Sequence, residues 1–318
     1  MPDLRRNDAS DLIPNPALMT VQEIPDASPL FPGFRLLDVE TAEATIRLRT
    51  GGGGPPLLLL HGYPQTHAMW HKVAPRLARR FTLVCADLRG YGDSSKPAST
   101  PDHATYSKRA MAVDMVEAMR ALGHARFHLA GHDRGGRVAH RLALDHPDAV
   151  TRLAVLDIAP TREMFRGTDE AFARVYWHWF FLIQPAPMPE RMIGADPDAY
   201  WREKCGSGAG GLDHFAPEAL AEYLRCFRDP EAIRASCDDY RAAAGIDIAH
   251  DDEDRGRKLS VPLLALWGST GAIERCFDAL ALWRERALDV RGHALPGGHY
   301  LAEEVPELVA EAFEEFFT

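Results

Sequence analysis

A chain of 318 residues with 46% hydrophobic content is long enough to bury one large α/β core and an inserted subdomain. Its formal net charge of -10 disfavours a nucleic-acid surface, so any anion it binds requires a local cationic pocket. Its five cysteines (Cys85, Cys205, Cys226, Cys237 and Cys276) form no CxxC pair and no cluster with histidine. Reduced thiols in a cytoplasmic protein are therefore expected, with no metal and no organic cofactor. No apolar run reaches the roughly 18 residues of a membrane span, and the first residues lack a signal-peptide core.

Residues 1–33 are polar and proline-containing and read as a flexible arm. Alternating residues over 34–50 and a glycine turn at Gly51 to Gly54 predict a hairpin, and the continuous apolar run 57–60 predicts a buried parallel strand. A helix over 68–80, a strand over 81–86 and a helix over 107–122 follow, then a core strand at 127–132. The stretch 135–147 reads as a helix that stops at Pro147, and 152–160 reads as another strand. Residues 161–255 are aromatic-rich and helical, with no run typical of a buried strand. The strand pattern resumes at 261–268, with a helix near 276–286, a short strand at 289–295 and a helix over 301–317. Alternation that stops for almost a hundred residues and then resumes describes a mostly parallel, doubly wound sheet (34–160 and 256–318) with an inserted helical cap (161–255).

The segment Gly131-His132-Asp133-Arg134-Gly135 joins a strand to a helix. Its G-x-Nuc-x-G pattern is the nucleophile elbow of the α/β-hydrolase fold, in which the flanking glycines permit a turn too tight for side chains. Here the central residue is aspartate. A carboxylate is ionised at neutral pH and attacks an sp3 carbon without a base, forming an ester. The competing role for Asp133 is a helix N-cap, which needs neither glycine. His61-Gly62-Tyr63-Pro64 ends the strand at 57–60, so the backbone N–H groups of Tyr63 and Arg134 are candidates for an oxyanion site. His299, in Gly297-Gly298-His299 before the last helix, is the candidate base that activates water. No carboxylate follows the strand 261–268, so Asp157, near the end of 152–160, is the candidate acid that orients the histidine.

Segments that carry most of these residues resemble the fluoroacetate dehalogenases: HGYPQTHAMWHKVAPRLARRFTLVCADLRGYGDS, LAGHDRGGRVAHRLALDHP, LAVLDIAPT, YWHWFFLIQPAPMPERMIG and DDYRAAAGIDIAHD. The likeness runs from about residue 34 to the C-terminus. It implies hydrolysis of haloacetates, such as fluoroacetate and chloroacetate, to glycolate and halide, without a cofactor and in a homodimer. It also implies that Arg134 and Arg137 hold the substrate carboxylate and that His178, Trp179 and Tyr240 hold the departing halide. The chemistry is compatible: two arginines three apart share the first turn of a helix, and imidazole, indole and phenol all donate hydrogen bonds. Cap packing is the plainer role for His178, Trp179 and Tyr240, and structural ion pairing is the plainer role for the arginines. The glycine-rich stretch Cys205 to Gly211 departs from the bulkier residues of relatives and bears on pocket size and access. An epoxide hydrolase shares the aspartate nucleophile but has no evident use for Arg134. A non-catalytic scaffold of the same fold would usually have lost a member of the Asp133, His299, Asp157 set.

Overall fold

The computed structural model, which describes residues 20–208 and 210–318, arranges nine strands in the order β1-β2-β3-β5-β4-β6-β7-β8-β9. These are β1 Val21–Ile24, β2 Arg35–Glu40, β3 Thr45–Gly52, β4 Pro56–Leu60, β5 Thr82–Ala86, β6 Phe127–His132, β7 Val150–Leu156, β8 Leu263–Gly268 and β9 Val290–Leu295. β1, β2, β3 and β5 pair antiparallel, and every pair from β5 and β4 to β8 and β9 is parallel. The parallel strands are the apolar runs of the sequence. Leu57 to Leu60, Leu129, Ala130 and Leu153 to Leu156 are all buried, as a sheet covered by helices on both faces requires.

Eight helices lie between β7 and β8, from Thr161–Arg166 to Ile246–Glu253, and no strand interrupts them among the described residues. They pack on one continuous apolar core, to which Trp179, Trp201, Tyr223 and Tyr240 contribute rings from the inserted helices.

Four local expectations are corrected. Residues 20–33 are not a loose arm: β1 pairs with β2, Phe31 is buried, and Asp26 forms an ion pair with Arg49. The rest of the expected arm, residues 1–19, lies outside the described residues. The helix expected over 68–80 is a 3-10 turn, His67–Trp70, and one helical turn, Ala74–Leu77. Pro75 has no N–H and clashes with a preceding turn, so it is accommodated only where a helix starts. The C-terminal helix splits for the same reason into Leu301–Glu304 and Pro306–Phe317. The helix expected near 276–286 is likewise two pieces, Ala272–Cys276 and Ala279–Arg286, the second capped by Asp278.

Candidate active site

The loops that follow β4, β6, β7, β8 and β9 leave from the same edge of the sheet, because those strands are parallel. Ligand sites form at this carboxyl edge in open α/β sheets. Asp133 stands there between β6 and the helix Arg134–Asp145, with φ 46° and ψ -114°. A non-glycine residue in this region costs about 1–3 kcal/mol, so its surroundings must impose the conformation. They do so by backbone contact. A Cβ on Gly131 would meet Gly135 O at 2.4 Å, one on Gly135 would meet His61 O at 2.4 Å, and one on Gly62 would meet Asp133 Cβ at 2.5 Å. Asp133 occupies the N-cap position but makes no side-chain capping bond. Its Oδ1 instead accepts the Tyr63 N–H at 3.0 Å. Arg134 is the first residue of that helix, where amides have no intrahelical acceptor.

His299 Nε2 lies 4.0 Å from Asp133 Oδ2, and its Nδ1 lies 2.6 Å from Asp157 Oδ2. Asp157 is buried one residue beyond the end of β7 rather than within the strand, at φ 50°, and its Oδ1 accepts the Gly268 N–H at 2.9 Å. A carboxylate has no proton to give, so the histidine proton sits on Nδ1 and Nε2 faces Asp133 as the basic atom. Glu304 holds the histidine loop by accepting the N–H groups of Gly298 at 2.6 Å and Tyr300 at 2.8 Å.

Both arginines are buried beside Asp133. Arg134 donates through Nε (2.9 Å) and Nη2 (2.6 Å) to the Asp239 carboxylate, and its guanidinium lies 4.2 Å from the Tyr240 ring centroid. Arg137 donates through Nη1 to Ala159 O (3.1 Å) and Thr161 Oγ1 (2.8 Å), and lies 4.8 Å from the Trp179 ring. Burial alone would raise the Asp133 pKa, but surrounding positive charge holds it well below the ordinary carboxylate value, with His299, His132, Arg137 and Arg134 acting in that direction. Burial pushes His132 down to about 3, so it is neutral at pH 7, and the two permanently charged arginines provide the lasting stabilisation.

His178, Trp179 and Tyr240 are buried in one aromatic cluster. The His178 and Tyr240 rings lie 5.8 Å apart, and those of Trp179 and Tyr240 lie 6.3 Å apart. Burial and the nearby Lys204 charge push His178 down, so it is a neutral donor, and burial pushes Tyr240 up, so it keeps its proton. Five buried polar atoms here have no partner among the described residues: Arg134 Nη1, Arg137 Nε, His178 Nδ1, Trp179 Nε1 and Tyr240 Oη. Each unpaired buried donor costs about 1–3 kcal/mol. Unpartnered atoms also occur elsewhere in the protein, but these five share one set of touching rings and guanidiniums.

A cavity of about 220 Å³ opens above this cluster and is bounded by His299, His178 and Tyr176 on its inner side. Its lining does not include Asp133, Arg134 or Arg137, which lie deeper.

Asp239 was not legible as a site residue. It is buried, and besides Arg134 it binds Tyr91 Oη at 2.5 Å and the Lys108 ammonium. In the sequence it is one of two adjacent acids, Asp238 and Asp239, both buried but on different partners, with nothing to tell which of them meets Arg134. As for metals, the one set of ligand-type groups that converge among the described residues is Asp93, Glu222 and Cys226. Arg225 already bridges both of its carboxylates at 2.7 Å.

Replacing Asp239 with alanine leaves Arg134 buried without its counter-ion. The expected loss is about 3–5 kcal/mol in urea unfolding. Asp198→Ala, which breaks the exposed pair with Arg228, is expected to cost less than about 1 kcal/mol.

The chain matches the alpha/beta hydrolase fold family over residues 55–306. It is 53% identical over 291 residues to a fluoroacetate dehalogenase from Burkholderia sp, covering 91% of this chain and 95% of that protein. It is 35% identical to a soluble epoxide hydrolase from Corynebacterium sp. (strain C12), covering 84% and 92%. The crystal structure of ALR0039 from Nostoc sp PCC 7120, of alpha/beta hydrolase type, superposes with a TM-score of 0.87 at 58% identity, covering 90% and 98%. The chain belongs to the alpha/beta hydrolase fold family and, within it, to the group that includes the Burkholderia fluoroacetate dehalogenase.

Proposed function

We propose that this protein is a haloacetate dehalogenase that releases halide and glycolate through an ester on Asp133. The observation that carries the reading is the convergence of two buried guanidiniums and three buried, unpartnered neutral donors on one ionised carboxylate. A haloacetate presents two features to such a site. Its carboxylate suits the free Arg134 Nη1 and Arg137 Nε, and its halogen suits the N–H and O–H groups of His178, Trp179 and Tyr240. Fluoride is a poor leaving group, and hydrogen bonds that strengthen as its charge develops act on the transition state rather than on substrate binding.

In the first step Asp133 Oδ2 attacks the α-carbon, and the C–X bonding pair leaves with the halide. In the second, His299 Nε2 takes a proton from water, which attacks Asp133 Cγ. The developing oxyanion is stabilised by the Tyr63 and Arg134 backbone N–H groups. The Cγ–O bond to the substrate then breaks, the histidine returns the proton to the departing glycolate oxygen, and loss of the remaining water proton regenerates Asp133 as a carboxylate. Asp157 keeps the His299 proton on Nδ1 and stabilises the imidazolium. Reduced thiol chemistry and the family likeness support a cytoplasmic homodimer, acting on a small anion rather than on nucleic acid or a membrane. No helix among the described residues is long and apolar enough to cross a membrane.

An epoxide hydrolase shares the nucleophile, and a relative of that activity is 35% identical. The two activities differ in their need for the arginine pair. Acetate is expected to inhibit halide release from chloroacetate competitively, raising KM with kcat unchanged. Indifference to acetate, together with turnover of simple epoxides, would favour the other activity.

His299→Asn removes the base but not the nucleophile. On mixing with chloroacetate it is expected to release about one chloride per active site and then stop. With His299 gone, the Arg137 and Arg134 charges still oppose the effect of burial on Asp133, and a nucleophile that stays ionised on acidification is expected to give a burst rate flat from about pH 8 to pH 5. A burst that falls tenfold per pH unit in that window would contradict an already ionised nucleophile.

A further inference from the structure

The cavity above the site is larger than a haloacetate needs. It measures about 220 Å³, whereas about 150 Å³ accommodates benzene. It borders the site, because the base His299 and the donor His178 form part of its wall, while Asp133 and the two arginines lie behind them. On its outer side the wall includes backbone of Gly208 and Gly211, and a Cβ at either would meet nothing within 4 Å.

Its charges are unevenly satisfied. Of its two carboxylates, Asp157 is bound by His299 and the Gly268 N–H, and Glu304 by the N–H groups of Gly298 and Tyr300. Its two cations have no acid partner: among the described residues, neither Lys204 nor Arg275 is in an ion pair, although the chain carries ten more acids than bases. Lys204 Nζ lies 3.5 Å from Tyr300 Oη, and Arg275 Nε donates to Gly271 O at 3.2 Å. The same cavity holds His214, whose buried Nε2 has no partner among the described residues. Lys204 is also close enough to act on His178, for which its charge is the strongest electrostatic influence after burial. The vestibule therefore has the makings of an anion site contiguous with the reacting centre, separate from the Arg134 and Arg137 pair below it.

We infer that the vestibule is a second anion subsite, centred on Lys204, that takes the distal carboxylate of 2-halodicarboxylates. This rests on the haloacid reading of the deeper site. The α-carboxylate is held by Arg134 and Arg137 and the halogen by the aromatic donors, while the substituent on the halogen-bearing carbon passes between His178 and His299 toward Lys204. The chemistry is unchanged. Asp133 forms the C–O bond at C2, the halide leaves with the C–X electron pair, and water releases a 2-hydroxydicarboxylate and one proton. One substituent position faces the vestibule, so one enantiomer is consumed.

The test measures chloride release by wild type from chloroacetate, 2-chloropropionate, 2-chlorosuccinate and 2-chloro-2-phenylacetate. Chlorosuccinate is expected to exceed chloropropionate in kcat/KM by about tenfold or more, the scale of a charge-assisted hydrogen bond. In Lys204→Met the ratio of chlorosuccinate to chloroacetate kcat/KM is expected to fall by about tenfold, and Lys204→Arg is expected to restore it. Chlorosuccinate no better than chloropropionate, a ratio indifferent to Lys204→Met, or phenylacetate outrunning succinate would overturn the subsite. Failure of chloroacetate itself to release chloride would instead overturn the haloacid reading on which the subsite rests.

Discussion

Two guanidiniums are held out of water beside one carboxylate, and this arrangement organises the rest of the site. Desolvating an ion costs several kcal/mol even after relaxation, so each buried charge needs a counter-charge. Arg134 has its own in Asp239. Among the described residues Arg137 makes no ion pair; it is held by neutral acceptors and by the field of Asp133, while burial lowers its pKa. The proposed nucleophile is thus also a counter-ion. In the proposed reaction its charge leaves with the halide when the ester forms. Once the halide has departed, the substrate carboxylate remains as counter-charge to Arg137, which a neutral substrate would not supply.

The same arrangement ties the inserted helices to the sheet. The helix Pro230–Ala244 carries both Asp239, which fixes Arg134, and Tyr240, whose ring lies against that guanidinium. Arg137 is fixed by Ala159 and Thr161, where the chain leaves β7 for the inserted region, and it lies over Trp179. In the proposed reaction the contacts that hold the substrate are therefore the same ones that join the inserted helices to the sheet. The strain stored at Asp133 is balanced on the sheet side, where Gly62, Gly131 and Gly135 let three backbones approach more closely than any side chain allows.

Much of this could be read from residues alone, because the parallel strands are unbroken apolar runs and the elbow has its own glycine spacing. What could not be read has physical reasons. β1 is an exposed edge strand, Val-Gln-Glu-Ile, whose pairing comes from backbone and leaves no apolar alternation. Pro75 and Pro306 sit inside otherwise helical patterns and restart them. Asp239 is set by how one helix rotates on the core, information that adjacent acids do not carry. His178, Trp179 and Tyr240 have side chains that cap packing alone would explain, and only their unpartnered polar atoms separate a ligand site from a packed cluster.

The central claim is that the oxygen delivered to the substrate comes from Asp133. A single turnover with enzyme in excess, run on chloroacetate in ¹⁸O-labelled water, tests this directly by mass spectrometry of both products. The account predicts unlabelled glycolate and one labelled oxygen in the peptide that contains Asp133. Label in the glycolate with none in that peptide would mean that water attacks the carbon itself, and would contradict it.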